Sequence, residues 1–495
     1  MNSVISRLKI FASGCITALI LPPFGLPPYL VFILFIPLLQ ELFSNSPLKR
    51  FYAGLLFGFG YFLVLLKWIS IVGNDALIAL TLICAIWWGI ASIFSLFFID
   101  SKYWSLWFAT SWTVVELMRD RFPWGGFGWG QLGIVWVNTP FAGLYSIFGQ
   151  VGMTFLTFLS VAKLYELLIR TKNKALNRKI VLIFLPTLCL VLLSSNASHL
   201  QPITTDQDEE ISISAIQGGV EHTGLGVLGS PRAVLNKHYD ETMKHLSRIN
   251  STDLLVWPES SVDLDPYADV LTMQTLRKLD EVVNPPVLVN GTLYSTSNLK
   301  QNTSLLLKNN QTKKVYQKRH LVPFGEFLPL RDLIEKYTDR ASMLSTDYEP
   351  GSEVGKIAVK GQLLEILICF EIADDSLIHQ DMDNISAVIV QTNNATYQNL
   401  GQTEQQVLYT QLRAIETGRP IISISTSGNS VIVDSNGNIQ SKLDQSEIGL
   451  LTVQIVKVSG QTLASTIHNV LIYGLFMVFA GGLIIQIRYR FKIMS

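Results

Sequence analysis

Residues 363–375 read LLEILICFEIADD. Five of the six residues before the cysteine are aliphatic, so the stretch reads as a buried strand. It ends on Cys369, with Phe370 and Glu371 directly behind. Reactive groups in α/β sheets gather where strands end and loops begin, and a thiol beside a carboxylate fits such a place.

Working outward, the residues from 205 to 460 alternate between strand and helix patterns. EISISAIQGG (210–219), DLLVWPES (253–260), PVLVNGTLYS (286–295), TSLLLKN (303–309), KKVYQK (313–318) and AVIVQT (387–392) read as strands. Residues 232–248, 267–281 and 403–417 read as helices, the last stopped by Gly418 and Pro420. IISIS, SVIVD and GLLTVQIV close the run, with Asn436-Gly437 as a hairpin turn. This order predicts an α/β sandwich.

The rest of the chain differs in kind. The 495 residues are 49% hydrophobic and 15% charged, below the quarter usual for soluble domains. The long apolar runs fall within 1–200 and 467–487. Counting about 20 apolar residues per crossing, we expect a membrane α-helical bundle of about eight spans, near 7–24, 28–44, 51–71, 76–99, 103–118, 141–168, 180–195 and 467–487. The expected domains are therefore an N-terminal transmembrane domain (1–200), a catalytic domain (205–460) and a C-terminal transmembrane helix (467–487). Arg7, Lys9, Lys49, Arg50, Lys102, the tract RTKNKALNRK (170–179) and Arg488, Arg490 and Lys492 all fall on one side if there are eight spans. The positive-inside rule makes that side the cytoplasm and places 205–460 outside. With 38 basic and 38 acidic side chains, no basic excess points to nucleic acid.

Cys369 is the only cysteine between 205 and 460, so it has no disulfide partner there. Two other polar residues stand at strand ends: Glu259 after LLVWP, and Lys318 after VYQ. Together they make a chemical set. Glu259 takes the thiol proton as general base, and Lys318 meets the oxyanion that forms on an attacked carbonyl. The resulting thioester passes its acyl group readily to an amine. His320, two residues past Lys318, is the competing base. No His or Cys pair has metal-binding spacing, so neither a catalytic metal nor a cofactor is expected.

WPES with Glu259, KRHLVPFGEFLP with Lys318, and ICFE with Cys369 resemble the Glu-Lys-Cys triad of the nitrilase superfamily. With the apolar N-terminal part and the last span, the whole chain is similar to the bacterial apolipoprotein N-acyltransferase family. The resemblance implies a nitrilase-like αββα sandwich facing the extracytoplasmic (periplasmic) side of the inner membrane. It implies a phospholipid acyl donor, a Cys369 thioester, and the α-amine of diacylglyceryl-cysteine on an apolipoprotein as acceptor. It makes Glu326 of FGEF a positioning group for Lys318 or the intermediate, and lines the pocket behind the nucleophile with Phe370 and Glu371. The chain departs from the family pattern at NNATYQNLG (393–401), where Asn394 stands for an acid, Thr396 for a tryptophan and Tyr397 for a phenylalanine. VEHTGLGVLGSPR (220–232) lacks the usual lid tryptophan.

In the apolar part, RFPWGGFGWGQLG (121–133) reads as an interfacial aromatic belt or as a lipid entry path shaped by Trp124, Phe127 and Trp129. Glu116 and Arg119 are candidate headgroup contacts. Two rival functions remain open on the residues alone. One is a membrane-tethered nitrilase-type amidase that uses water as acceptor. The other is a transporter or scaffold with a degenerate domain.

Overall fold

The computed structural model describes residues 2–494 apart from 45, 168–175, 202, 223–228, 324, 330, 336–345, 381 and 398–399. Residues 223–228 of the expected lid stretch and 170–175 of the basic tract therefore lie outside the described residues. The chain divides into two compact units, Pro202–Gln461 and the remainder, Met1–Gln201 with Thr462–Ser495.

The first of these is a sandwich of two six-stranded sheets. One sheet holds β1 (Ile203–Gln217), β2 (Leu254–Val256), β3 (Val287–Tyr294), β4 (Lys300–Lys308), β5 (Gln311–Gln317) and the late strand β12 (Gly449–Gly460), in the order β12-β1-β2-β3-β4-β5. The other holds β6 (Gly355–Val359), β7 (Gln362–Ile368), β8 (Ile385–Thr392), β9 (Ile421–Ser425), β10 (Ser430–Val433) and β11 (Ile439–Leu443), in the order β11-β10-β9-β8-β7-β6. The central pairs β1–β2, β2–β3, β7–β8 and β8–β9 are parallel, and the remaining pairs are antiparallel.

The two-residue period of a strand builds the layers. Leu254 and Val256 face the other sheet, where Leu364, Ile366, Ile368, Ala387, Ile389, Ile422 and Ile424 meet them. Leu255 and Trp257 point the opposite way, onto Leu235 of the helix Ala233–Lys244 and Leu276 and Leu279 of the helix Val270–Val282. Strands covered on both faces must be apolar at nearly every position, which is why LLVW and ILI read as unbroken runs. The helix Gln402–Thr417 lies almost wholly buried next to β9, β10 and the turn after β7.

The second unit is helical. Among the described residues, four helices are long and apolar enough to cross a membrane: Pro47–Leu65, Asn74–Ser95, Ala142–Tyr165 and Leu463–Arg488. This corrects the expectation of about eight. The 7–24 run stops at Ala18, ahead of Pro22 and Pro23. The 28–44 run is broken into Val31–Leu34 and Ile36–Leu42, because Pro37 has no N–H and crowds the preceding turn. The 103–118 run gives a 16-residue helix, Trp104–Arg119, and the 180–195 run lies within the helix Leu176–Ser195, which carries Pro186 inside it.

Close helix contacts in this unit depend on glycine. A Cβ on Gly14 would lie 2.1 Å from the Phe57 carbonyl oxygen, and one on Gly60 would lie 2.4 Å from that of Phe11. Small residues let backbones approach this way when dispersion drives the packing. Phe35, Phe57, Tyr61, Trp88, Trp112 and Phe158 form an aromatic centre, and the last helix packs Ile472, Leu475 and Phe479 against Val114, Leu117 and Val151.

Candidate active site

Three strand ends bring the sequence candidates together. Glu259 follows β2, Lys318 follows β5, and Cys369 follows β7. Backbone bonds fix each place. Lys318 N–H donates to the Asn302 carbonyl (2.9 Å), and the Lys318 carbonyl accepts from Gly351 N–H (2.8 Å). The Glu259 carbonyl accepts from the Thr426 hydroxyl (2.8 Å). Ser260 and Cys369 both adopt left-handed backbone, with φ of 55° and 54°. For residues with a Cβ this conformation is uncommon and held by its surroundings.

At Cys369 the surroundings centre on Glu371, which is fully buried. One of its oxygens accepts from the N–H groups of Arg319 (2.7 Å) and His320 (3.0 Å), and the other from Ile368 N–H (2.7 Å); Tyr316 Oη donates at 2.8 Å. The turn of the nucleophile strand is thereby tied to the loop that leaves Lys318. Glu371 was expected as a pocket wall. Its oxygens are instead used up beneath the turn, because buried N–H groups there have no strand partner. Phe370 is buried edge-on against His320.

The side chains converge from both sheets. Lys318 Nζ lies 2.8 Å from Glu326 Oε1 and 3.8 Å from Glu259 Oε1. Asn302 Nδ2 donates to the same two oxygens, at 2.7 Å to Glu259 and 3.1 Å to Glu326. Asn302 is itself oriented by Asn290 Nδ2 (3.0 Å), whose Oδ1 accepts from Ser260 N–H (2.9 Å). Glu326 Oε2 accepts from Val322 N–H (2.8 Å). The Cys369 thiol stands beside the Glu259 carboxylate and favours its charged form. A polar bridge crosses the sandwich just below: Ser304 Oγ donates to Gln391 Oε1 (2.6 Å), and Gln391 Nε2 donates to the Trp257 carbonyl (2.6 Å). The strands bearing Glu259, Asn302 and the β8 end are thus locked to one another.

The electrostatics follow from burial and pairing. Burial pushes Glu259 above its ordinary value, with Lys318 pulling the other way. Burial also works against the Lys318 charge, but Glu326 and Glu259 outweigh it and hold the ammonium above its usual range. Burial, then the Glu259 charge, push the Cys369 thiol up to about 12. The resting sulfur is therefore a thiol beside a carboxylate, and a base is needed to ionise it.

His320, the competing base, is engaged elsewhere. Its Nδ1 pairs with Asp374 Oδ2 at 2.5 Å. His238 is a packing histidine, bonded to Gly218 N–H and the Val234 carbonyl, and burial lowers it to about 4. No group of three or more His, Cys, Asp or Glu suited to a metal ion occurs among the described residues.

In the helical unit the expected headgroup contacts Glu116 and Arg119, and Trp129 of the expected entry path, are buried within the protein. Arg119 donates to the carbonyls of Phe127 and of Trp129 (2.9 Å) and to Glu116 Oε2 (2.9 Å), and Glu116 accepts from Trp88 Nε1. The cluster fastens the 121–131 loop to its own helix. Phe127 is half-buried and Trp124 exposed.

Sequence reasoning missed Asn302, Asn290, Thr392 and Gln406. Asn302 carried a signal: an amide at a buried strand position where the pattern asks for an aliphatic residue.

The family model for the apolipoprotein N-acyltransferase N-terminal domain matches residues 13–162, and the carbon-nitrogen hydrolase model matches residues 232–464. An apolipoprotein N-acyltransferase of Coxiella burnetii is 27% identical over 483 residues, 93% of this chain and 95% of that protein. That of Haemophilus influenzae is 26% identical over 390 residues, 75% of this chain and 72% of the relative. Among solved structures, an amidase from Nesterenkonia sp. superposes with a TM-score of 0.39 at 16% identity, covering 51% of this chain and 92% of the amidase.

Proposed function

The chain belongs to the apolipoprotein N-acyltransferase family, and from that premise we propose that it moves an acyl chain from a membrane phospholipid to the N-terminal amine of diacylglyceryl-cysteine on apolipoproteins. The observation that carries this reading is the buried Glu259–Lys318–Cys369 group on a chain that also holds membrane-length helices.

In the first half-reaction Glu259 accepts the Cys369 proton as the sulfur adds to the donor's ester carbonyl. Lys318 faces the oxyanion, already charged and held by Glu326. Collapse breaks the ester C–O bond. The leaving glycerol oxygen takes the proton back from Glu259, giving a lysophospholipid and a Cys369 thioester. In the second half-reaction the acceptor amine attacks the thioester. Glu259 removes a proton from nitrogen and returns it to sulfur, leaving an amide and free Cys369. A donor and an acceptor that are both lipid-anchored give the helical unit its purpose. The sandwich is taken to face the extracytoplasmic side of the inner membrane, as the resemblance implies.

The test is intact-mass analysis of the full chain after incubation with phospholipid vesicles. A fatty-acyl adduct that maps to Cys369 and is discharged by a diacylglyceryl-cysteine peptide is expected. Discharge to free fatty acid with no acylated peptide would favour the amidase-type hydrolase. Full activity of Cys369→Ala would remove the covalent mechanism.

A further inference from the structure

Cys369 has a second neighbour besides Glu259 and Lys318. The parallel register pairs Ile368 of β7 with Gln391 of β8, so the next residues, Cys369 and Thr392, stand side by side at the two strand ends, and the Thr392 side chain and the Asn393 backbone favour the ionised sulfur. Thr392 sits in a buried lattice of amides. Gln406 Nε2, from the helix Gln402–Thr417, donates to Thr392 Oγ1 (2.9 Å) and to the Cys369 carbonyl (3.4 Å). Asn394 Nδ2 donates to Gln406 Oε1 (2.6 Å) and Gln402 Oε1 (2.7 Å), which fixes the Gln406 amide with its nitrogen toward Thr392.

A hydroxyl has one proton to give. Gln406 occupies an acceptor site on Thr392 Oγ1, so that proton has two destinations, Asn394 Oδ1 at 3.3 Å or the sulfur. Asn394 Oδ1 already accepts from Ser425 Oγ at 3.1 Å. It does not need the Thr392 proton, and as a neutral amide it holds that proton less strongly than a carboxylate would. This is where the chain has Asn394 in place of the acid of the resembled pattern. We propose that Thr392 is a catalytic hydrogen-bond donor that turns its proton onto the Cys369 sulfur as the thiolate forms, with Gln406 and Asn394 as its positioning residues.

The inference rests on the reading of Cys369 as the nucleophile and adds a second stabiliser of the thiolate. Lys318 alone does not fill that role, because it faces two carboxylates, Glu259 and Glu326. The ionisable groups that act on the sulfur are Glu259 after β2, Lys318 after β5, and Tyr397 in the turn Ala395–Tyr397. The Thr392 donor lies on none of these, so its removal is separable from theirs.

The experiment is the pH dependence of Cys369 alkylation by iodoacetamide in the full-length, detergent-solubilised protein, read by peptide mass. Thr392→Val and Thr392→Ala remove the donor, and Thr392→Ser keeps it. A hydrogen bond to an ionised group predicts about a tenfold slower alkylation at fixed pH, or about one pH unit of upward shift, for the first two. Thr392→Ser should stay near the parent profile. A Thr392→Val or Thr392→Ala profile that overlays the parent overturns the proposal, as does a Thr392→Ser profile that shifts equally far. Absence of an acyl adduct in the unaltered protein would instead overturn the nucleophile reading, so the two failures are distinct.

Discussion

Arg119 lies among Glu116, Asp120 and the carbonyls of a glycine-rich loop, and Lys318 lies between Glu259 and Glu326 beside a thiol. Both are buried cations with two carboxylates, and both stood out in the sequence as charges in unexpected places. Their difference is in what the charges hold. Arg119 grips backbone carbonyls from its own loop and an i−3 glutamate, so the cluster closes on itself. Lys318, Glu259 and Cys369 come from three different strands, and their charges meet at a reactive atom. Burial of an ion pair alone does not mark a site. Convergence of distant strand ends on a nucleophile does.

The comparison is broken most sharply by Glu259→Gln. The amide cannot take the thiol proton, so formation of the Cys369 acyl adduct should fall about a thousandfold. Burial opposes the Glu259 charge, so the unfolding midpoint should not drop. Arg119→Met should do the reverse. Removing one member of a buried ion cluster strands its partners, at about 3 kcal/mol. The thermal midpoint of the helical unit should fall by roughly 10 °C, while the pH profile of adduct formation in surviving protein keeps its shape. A collapse of chemistry with normal stability in Arg119→Met would restore that cluster as a functional site.

A smaller effect belongs to the His320–Asp374 pair, which sits near the site without joining it. Burial raises Asp374, but His320 and the Ser376 N–H and hydroxyl outweigh this and hold it down to about 2. The folded value lies below the unfolded one. The pair's stabilisation is therefore complete above about pH 4 and is lost as pH falls toward 2, amounting to about 2 kcal/mol at neutral pH. Asp374→Asn should lower the unfolding free energy at neutral pH by that amount and flatten the stability profile between pH 4 and 2. Loss of adduct formation in Asp374→Asn at unchanged stability would bring His320 back as a base.

The legible parts of the molecule were those written by periodicity. LLVW, EILI and AVIV announced buried strands, and the three polar residues that ended β2, β5 and β7 stood out against them. Strands β6 and β11 went unread. GKIAV and IQSKL are edge strands, short and partly polar, and β-pairing with one neighbour leaves no long apolar signature. The span count was over-read for the opposite reason. Hydropathy sees the apolar run at 28–44 but not the break that Pro37 makes in it. Thr392 and Gln406 were invisible, since a hydrogen bond from an amide to a hydroxyl 14 residues away follows from the β8-to-helix connection and leaves no local pattern.

Asn302 gives the finest test of what separates the two clusters. Its Nδ2 donates to one oxygen of Glu259 and one of Glu326, so a neutral amide joins the two carboxylates. A donor to a carboxylate favours its charged form. In Asn302→Leu the Glu259 carboxyl, already raised by burial, should rise further. The acid limb of adduct formation should then move up by about one pH unit, and the neutral-pH rate should fall roughly tenfold. If Asn302 only supports β4, the rate falls at every pH and the limb stays in place, as expected for Arg119→Met. A moved limb means the amide acts on the base itself, because packing defects remove active molecules without changing the proton affinity of those that remain.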